Sequence, residues 1–308
     1  MKKTKTKFFY YSISILALFI FIFLFISYVA SISVPSHALK IAIWLAISVI
    51  MAVAITYGYT LTSSTIADAM FTLRRMIRAE NLSNPLLLRL SSEAPGTYHH
   101  SLNVSNIAQK AAKAIGANSL LVRVASYYHD IGKLNEPGLY VENQSPSDFL
   151  AEENSAAWIR SNAKKIISHV ESGVKIAKEA KLPNDIIEII SEHHGDSKAL
   201  YFYRRAQEKK LKIRASDFVY SGPKPSSRES AIIMLADCIE AHARAVQPEN
   251  TEAINNIVET TVHDKLKEEQ LKDSGLTTKE IITVSNVMKE ALLAIYHQRI
   301  NYVVKNEA

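Results

Sequence analysis

The sequence predicts an all-α protein: a helical bundle preceded by a two-helix transmembrane hairpin. Three observations predict it. Residues 8–39 and 41–67 contain no Lys, Arg, Asp or Glu and are rich in Ile, Leu, Phe and Ala. Beyond them, apolar residues recur at the i, i+3, i+4 spacing of a buried helix face. No stretch after Pro85 has the alternation or turn chemistry of a β-hairpin.

The first predicted span covers residues 8–30 and the second residues 41–61. Each matches the roughly 20 helical residues that cross a hydrocarbon core. Between them, Ser31 to Lys40 contains Pro35 and forms a short turn. Lys2, Lys3, Lys5 and Lys7 precede the first span, Arg74, Arg75 and Arg78 follow the second, and Lys40 alone lies between. That asymmetry predicts a multi-pass protein of the cell (inner) membrane with its N-terminus and its C-terminal domain in the cytoplasm. A leader cleaved near Val29-Ala30-Ser31 is the competing reading. The apolar run exceeds the roughly 7–15 residues of a leader core, and the second span would hold the C-terminal part on the same side regardless.

Residues 62–84 read as a juxtamembrane helix and linker. Ala69, Leu73, Met76 and Ile77 share one stripe, which suits either a stalk for homodimerisation or a helix lying on the lipid bilayer. Asn81-Leu82-Ser83-Asn84-Pro85 ends it. Residues 85–308 are the cytoplasmic domain.

The net charge is +6, yet from Ser91 onward 27 Lys and Arg face 28 Asp and Glu. The basic excess therefore belongs to the membrane flanks, which speaks against a surface for long nucleic acid. The single cysteine, Cys238, excludes an intramolecular disulfide and suits a reducing compartment. A small half-apolar thiol is a more ordinary use of it than metal binding.

Within the domain, Val104, Ile107, Ala108, Ala111, Ala112 and Ile115 form one helical stripe. Gly116 and Asn118 end that helix, and Ser119 can cap the next. Asn184 or Asp185 starts a helix behind Pro183. Ser226 with Glu229, and Thr277 with Glu280, have capping-box spacing. Gly222-Pro223-Lys224-Pro225 is an irregular loop.

Chemistry concentrates in seven residues. Four positions back from Val104 is His100, which points inward, whereas His99 follows the polar edge. His129 and Asp130 end the helix from Ser119, and Gly132 and Lys133 follow. His169 falls on the stripe of Ile166, Gly173 and Ile176. His193 and His194 close an apolar run just before Gly195. Asp237 lies between Ile233-Met234 and Ala241 on an apolar face, where an ionised carboxylate is costly unless paired or metal-bound. Each residue has a structural explanation taken singly. Together they are the ligand types of divalent cations, too many for one ion, and a carboxylate such as Asp130 can bridge two through its two oxygens.

The order His100, His129-Asp130, Asp237 resembles the HD-domain phosphohydrolase family. The segments Pro95-Gly96-Thr97-Tyr98-His99-His100-Ser101, Tyr127-Tyr128-His129-Asp130-Ile131-Gly132-Lys133, Glu142-Asn143-Gln144, His193-His194-Gly195 and Gly222-Pro223-Lys224-Pro225 look like its membrane-anchored PgpH type, from about Asn84 to Tyr302. The resemblance implies an all-α HD bundle that hydrolyses cyclic di-AMP to linear pApA. It implies two divalent ions, iron or manganese. One would be held by His100, His129, Asp130 and Asp237, the other by Asp130, His169, His193 and His194. Departures are the two spans where the family has seven, the absence of its large extracellular domain, divergence from Gln144 to Lys165, Val219 in place of an Arg, and Ser221 in place of a Pro.

The expected nucleophile is a hydroxide activated by the two ions, with Asp130 at the centre of the catalytic group. Lys133 is the candidate phosphate contact; a solvated lysine at a helix end is its plainer reading. His194-Gly195 leads into Asp196-Ser197-Lys198 rather than the Gly-Tyr-Pro of cyclic di-GMP hydrolases. Ile131-Gly132 stands where guanosine tetraphosphate hydrolases carry Glu-Asp. The alternatives are an HD phosphohydrolase for another nucleotide and a non-catalytic membrane nucleotide receptor.

Overall fold

The computed structural model describes residues 36–144 and 155–296, together with Ile20, Ile22, Phe25, Ile26 and Tyr28. Most of the predicted first span and of the turn behind it lies outside the described residues. The chain divides into two compact units, residues 1–73 and 74–308.

In the first unit, helix α1 begins; it runs over His37–Glu80. Its segment Leu39–Thr60 is 22 residues long, with a mean hydropathy of 2.3 and none of it buried, so it is long and apolar enough to cross a membrane. Ser48 and Thr56 return their hydroxyls to the carbonyls of Trp44 and Ala52, which satisfies polar groups inside an apolar helix. The helix continues through residues 62–79 as expected. The stripe proposed there is not buried as a unit: Met76 is buried, whereas Ala69, Leu73 and Ile77 are exposed.

The second unit contains α2 (Pro85–Glu93), α3 (Pro95–Ala114), α4 (Ser119–Tyr128), α5 (Ala156–Ile167), α6 (His169–Glu179) and α7 (Asn184–Glu192). After them come α8 (Leu200–Glu208), α9 (Arg228–Val246), α10 (Thr251–Lys267) and α11 (Thr278–Tyr296). Short 3-10 turns fill residues 131–143 and Ala215–Phe218. Among the described residues there is no strand, only an isolated bridge between Lys198 and Val219.

The helix starts follow local hydrogen bonding, with two corrections to the caps. Asn118, not Ser119, caps α4, its side chain accepting from the Leu121 N–H at 3.3 Å. Ser227, not Ser226, caps α9 by accepting from Ser230. Ser226 instead donates to Glu192 Oε1 at 2.6 Å, a buried carboxylate that competes successfully for the hydroxyl. Thr277 and Glu280 do form the reciprocal box, at 2.9 and 3.2 Å. In α7 the first turn starts directly at Asn184, behind Pro183.

Helix α3 is central, packed on α2, α4, α9 and α11. Its buried Val104, Ile107, Ala108 and Ala111 join Val122 and Ala125 of α4 and Ile232, Ile233 and Ala236 of α9 in one core. A second, small core contains Ile159, Ala163, Phe202, Ala206 and Phe218, from α5, α8 and the turn before Val219. Glycines permit two close approaches. A Cβ on Gly132 would lie 1.9 Å from the His169 carbonyl oxygen and 2.5 Å from the Gly173 nitrogen, so the backbone after Asp130 rests directly on α6. A Cβ on Gly96 would lie 1.8 Å from the Glu142 carbonyl oxygen, which places that turn against the start of α3.

Candidate metal centre

Three of the predicted histidines sit just beyond a helix end. His129 follows α4, His193 follows α7, and His169 follows the end of α5 at Ile167 and opens α6. His169 is thus not on one continuous stripe with Ile166, because the helix breaks at Ser168. The last carbonyls of a helix lack intrahelical partners, and each ring uses one. The Nδ1 atoms of His129, His169 and His193 lie 2.8, 2.6 and 2.7 Å from the carbonyls of Ser126, Ile166 and Ile190. That geometry places a proton on Nδ1 and aims each Nε2 inward. His100 reaches the same state on a helix interior, its Nδ1 bonded to the Glu240 carboxylate. Asn103 orients Glu240 from 3.2 Å. His99, next door, is exposed.

The inward atoms converge on Asp130. Its Oδ2 lies 3.7 Å from His100 Nε2 and 3.3 Å from His129 Nε2. Its Oδ1 lies 3.2 Å from His169 Nε2 and 3.7 Å from His193 Nε2. Asp237 Oδ1 is 3.0 Å from His100 and 3.7 Å from His129, while its Oδ2 is 3.7 Å from His194 Nδ1. Two donor clusters result, His100–His129–Asp130 and Asp130–His169–His193–His194, each with its atoms within 4.8 Å of one another. All seven predicted residues are brought together, and Asp130 belongs to both clusters.

The donor set fits divalent cations. His129 Nε2 and Asp130 Oδ1 are buried with no hydrogen-bond partner; the short approaches to them lack hydrogen-bond angles. Buried polar atoms are rarely left so, and a cation between them satisfies both. Burial opposes ionisation of Asp130, but Lys133 and His129 hold its pKa well below the usual carboxylate range. Burial is likewise overcome at Asp237 by His100 and His129. Burial pushes His193 and His194 below the ordinary imidazole value, which keeps them in the neutral, ligating form. At His129, burial is outweighed by Asp130 and Asp237, which raise it to about 10.

Lys133 is not a solvated lysine. Its Nζ lies 2.7 Å from Asp130 Oδ2 and 2.7 Å from Glu142 Oε1, and those carboxylates keep it charged against burial. A cleft of about 340 Å³ opens over the cluster, with Lys133, Tyr140, Tyr220 and Arg244 among its walls. Tyr220 stacks on His194, with ring centroids 4.3 Å apart. Cys238 also faces the cleft, its thiol pushed up to about 11 by burial, and it joins neither donor cluster.

Glu240, Asn103 and Tyr220 were missed from the sequence. Glu240 carried a signal: it follows Asp237 by three residues, a second carboxylate on the same apolar face. Asn103 and Tyr220 carried none, because their partners are remote in the chain.

The chain is similar to known proteins over this same region. The family model described as HD domain matches residues 97–242. "Cyclic-di-AMP phosphodiesterase PgpH" of Bacillus subtilis (strain 168) is 39% identical over 232 residues, which cover 74% of this chain and 32% of the relative. The protein of the same name from Listeria monocytogenes is 39% identical over 237 residues, 76% of this chain and 32% of the relative. The chain thus spans about a third of the length of these curated relatives. The crystal structure of the L. monocytogenes PgpH HD domain in complex with cyclic-di-AMP aligns with a TM-score of 0.64 and 40% identity, covering 71% of this chain and 100% of that one. With the His-Asp pair, the distal Asp237 and the helical bundle in place, this chain belongs to the HD-domain family, in its PgpH type.

Proposed function

We propose that the chain is a metal-dependent phosphodiesterase that hydrolyses cyclic di-AMP to linear pApA. The observation that carries the reading is the sharing of Asp130 between two donor clusters beneath an open cleft. The relatives named for this activity and the related domain bound to this ligand support the substrate.

His100, His129, Asp130 and Asp237 would hold one ion, and Asp130, His169, His193 and His194 the second, with iron or manganese as the metals. When bound, a pair of such ions acidifies water toward neutral pH and offsets charge developing on phosphoryl oxygens. The protein's part is placement. Carbonyls at three helix ends and Glu240 fix the imidazoles, so little reorganisation accompanies the reaction. Lys133 sits at the cleft beside Asp130 and contacts the scissile phosphate. Tyr140 and Tyr220 offer ring surface to the bases.

Residues 8–30 and 41–61 form the membrane hairpin, residues 62–84 the juxtamembrane helix and linker, and residues 85–308 the HD domain. The N-terminus and the HD domain lie in the cytoplasm of a bilayer-embedded, multi-pass protein, and the juxtamembrane helix supports a homodimer.

The test uses the full chain in detergent micelles, loaded with manganese or iron, with nucleotide products separated by chromatography. Cyclic di-AMP is expected to yield pApA, and chelator or Asp130→Ala to abolish it. Metal-replete protein that binds cyclic di-AMP and releases no linear product would instead be a receptor.

A further inference from the structure

The near-neutral charge of the domain conceals a local excess. Residues 198–214 contain seven Lys and Arg against one acidic residue, Glu208. They belong to the part built on the small core, and they line two concavities. One, of about 750 Å³, gathers Arg160, Lys164, Lys212 and Arg214 around Asp217. The other, of about 650 Å³, is walled by Leu200, Tyr201, Arg204, Arg205, Glu208 and Lys209. Leu200 and Tyr201 are also walls of the cleft over the donor clusters, so the second groove adjoins it.

Tyr201 packs edge-on against Phe202 of the small core, ring centroids 5.0 Å apart, and the residue is still 48% exposed. Arg205 donates to its hydroxyl at 2.7 Å and stacks its guanidinium between the Tyr201 and Trp158 rings, 5.8 and 5.5 Å from their centroids. A half-exposed aromatic ring held by an arginine and flanked by Arg204 and Lys209 combines the two demands of single-stranded nucleic acid: a platform for a base and cations for the backbone.

We infer that this groove binds a short linear single-stranded oligoribonucleotide that extends out of the cleft, one base on Tyr201 and its phosphates along Arg204 and Lys209. The inference rests on the phosphodiesterase reading for what occupies the cleft itself. Anionic lipid is the rival source of phosphate. A bilayer surface would engage exposed lysines wherever they stood; it requires neither a concavity sharing two walls with the cleft nor a half-exposed aromatic ring held by an arginine.

The probe is a fluorescein-labelled six-residue oligoadenylate, its anisotropy measured on the full chain in detergent micelles. Arg204→Glu combined with Lys209→Glu is expected to weaken binding at least tenfold. Loss of two phosphate contacts should also lower the salt slope by about 1.4, at about 0.7 per single-strand phosphate. Cyclic di-AMP cleavage by this double variant should stay within about twofold of the parent. Tyr201→Ala should weaken oligonucleotide binding about fivefold or more, with Tyr201→Phe retaining most of it. In nanodiscs, hydrogen exchange over residues 198–214 should slow on adding the oligonucleotide and be indifferent to replacing phosphatidylcholine with phosphatidylglycerol. Unchanged oligonucleotide affinity in the double variant overturns the inference, as does protection by phosphatidylglycerol without protection by the oligonucleotide. If the parent protein fails to cleave cyclic di-AMP while oligonucleotide binding still follows these variants, the phosphodiesterase reading falls and the groove stands.

Discussion

The HD domain has two cores, and they differ in size and in what they present. The large one surrounds α3 and α9 and buries, within its apolar packing, four histidines and the carboxylates of Asp130, Asp237 and Glu240. The small one consists of five buried side chains between α5, α8 and the turn ending at Phe218, and its surface is basic. Buried ionisable groups need a scaffold that cannot relax around them, which only the large core supplies. The small core supports a surface, which tolerates local opening. Position in the fold thus separates a buried cluster of ligand-type side chains from a basic flank that shares two walls with the cleft.

The sharpest way to break this contrast is at the large core. Gly132→Ala puts a methyl 1.9 Å from the His169 carbonyl oxygen, with backbone on both sides. It is expected to separate Asp130 from His169 and to remove nearly all bound metal and turnover, measured by elemental analysis and product assay. Retention of both would mean that the turn adjusts freely and the cage is not rigid. Next in size, Phe218→Ala removes a fully buried ring from the small core, with an expected loss of about 3–5 kcal/mol. Hydrogen exchange should accelerate in α5 and α8 while metal content is kept; if metal is lost in step, the two cores are one cooperative unit.

A smaller effect is expected from Glu240→Gln. The amide still reaches His100 but withdraws the carboxylate that supports the ring, and metal affinity should fall about 10–100-fold without a change in fold, measured by competition with a chromophoric chelator. The last prediction concerns protons. His129 is raised to about 10 in the absence of an ion, so at pH 7.5 it carries a proton that a cation must displace. Metal binding should release about one proton from this residue and tighten as pH rises through the neutral range, weakening as pH falls. Calorimetry in buffers of different ionisation enthalpy reads the proton directly; no buffer dependence would show that His129 is already neutral.

The seven residues that the structure brings together were legible in the sequence because each stands where a polar side chain interrupts an apolar pattern: His100 four before Val104, Asp237 among Ile233, Met234 and Ala241. The helical class was legible for the same reason, and the Thr277–Glu280 box was found from spacing alone. The caps at Asn118 and Ser227 were misassigned by one residue each, since adjacent Asn-Ser and Ser-Ser pairs offer two side chains for one role. Glu192 decided the second case, and nothing local to Ser226 announces a carboxylate 34 positions away. The break at Ser168, which gives His169 its carbonyl partner, was likewise hidden inside an otherwise helical pattern. The basic groove was lost by averaging, because the acidic residues that balance it are spread elsewhere in the domain.

The end of α1 grips the domain at two points. The Tyr128 hydroxyl donates to the Ala79 carbonyl at 2.8 Å, one residue before His129. Arg75 donates to the carbonyls of Lys181 and Leu182, both at 2.6 Å, just ahead of the helix that ends in His193 and His194. Ala79 and Arg75 are a turn apart on one rod. The last turn of α1 is therefore fastened at once beside one ligand, at the end of α4, and at the entry to the helix that leads to two more, a clamp rather than a tether.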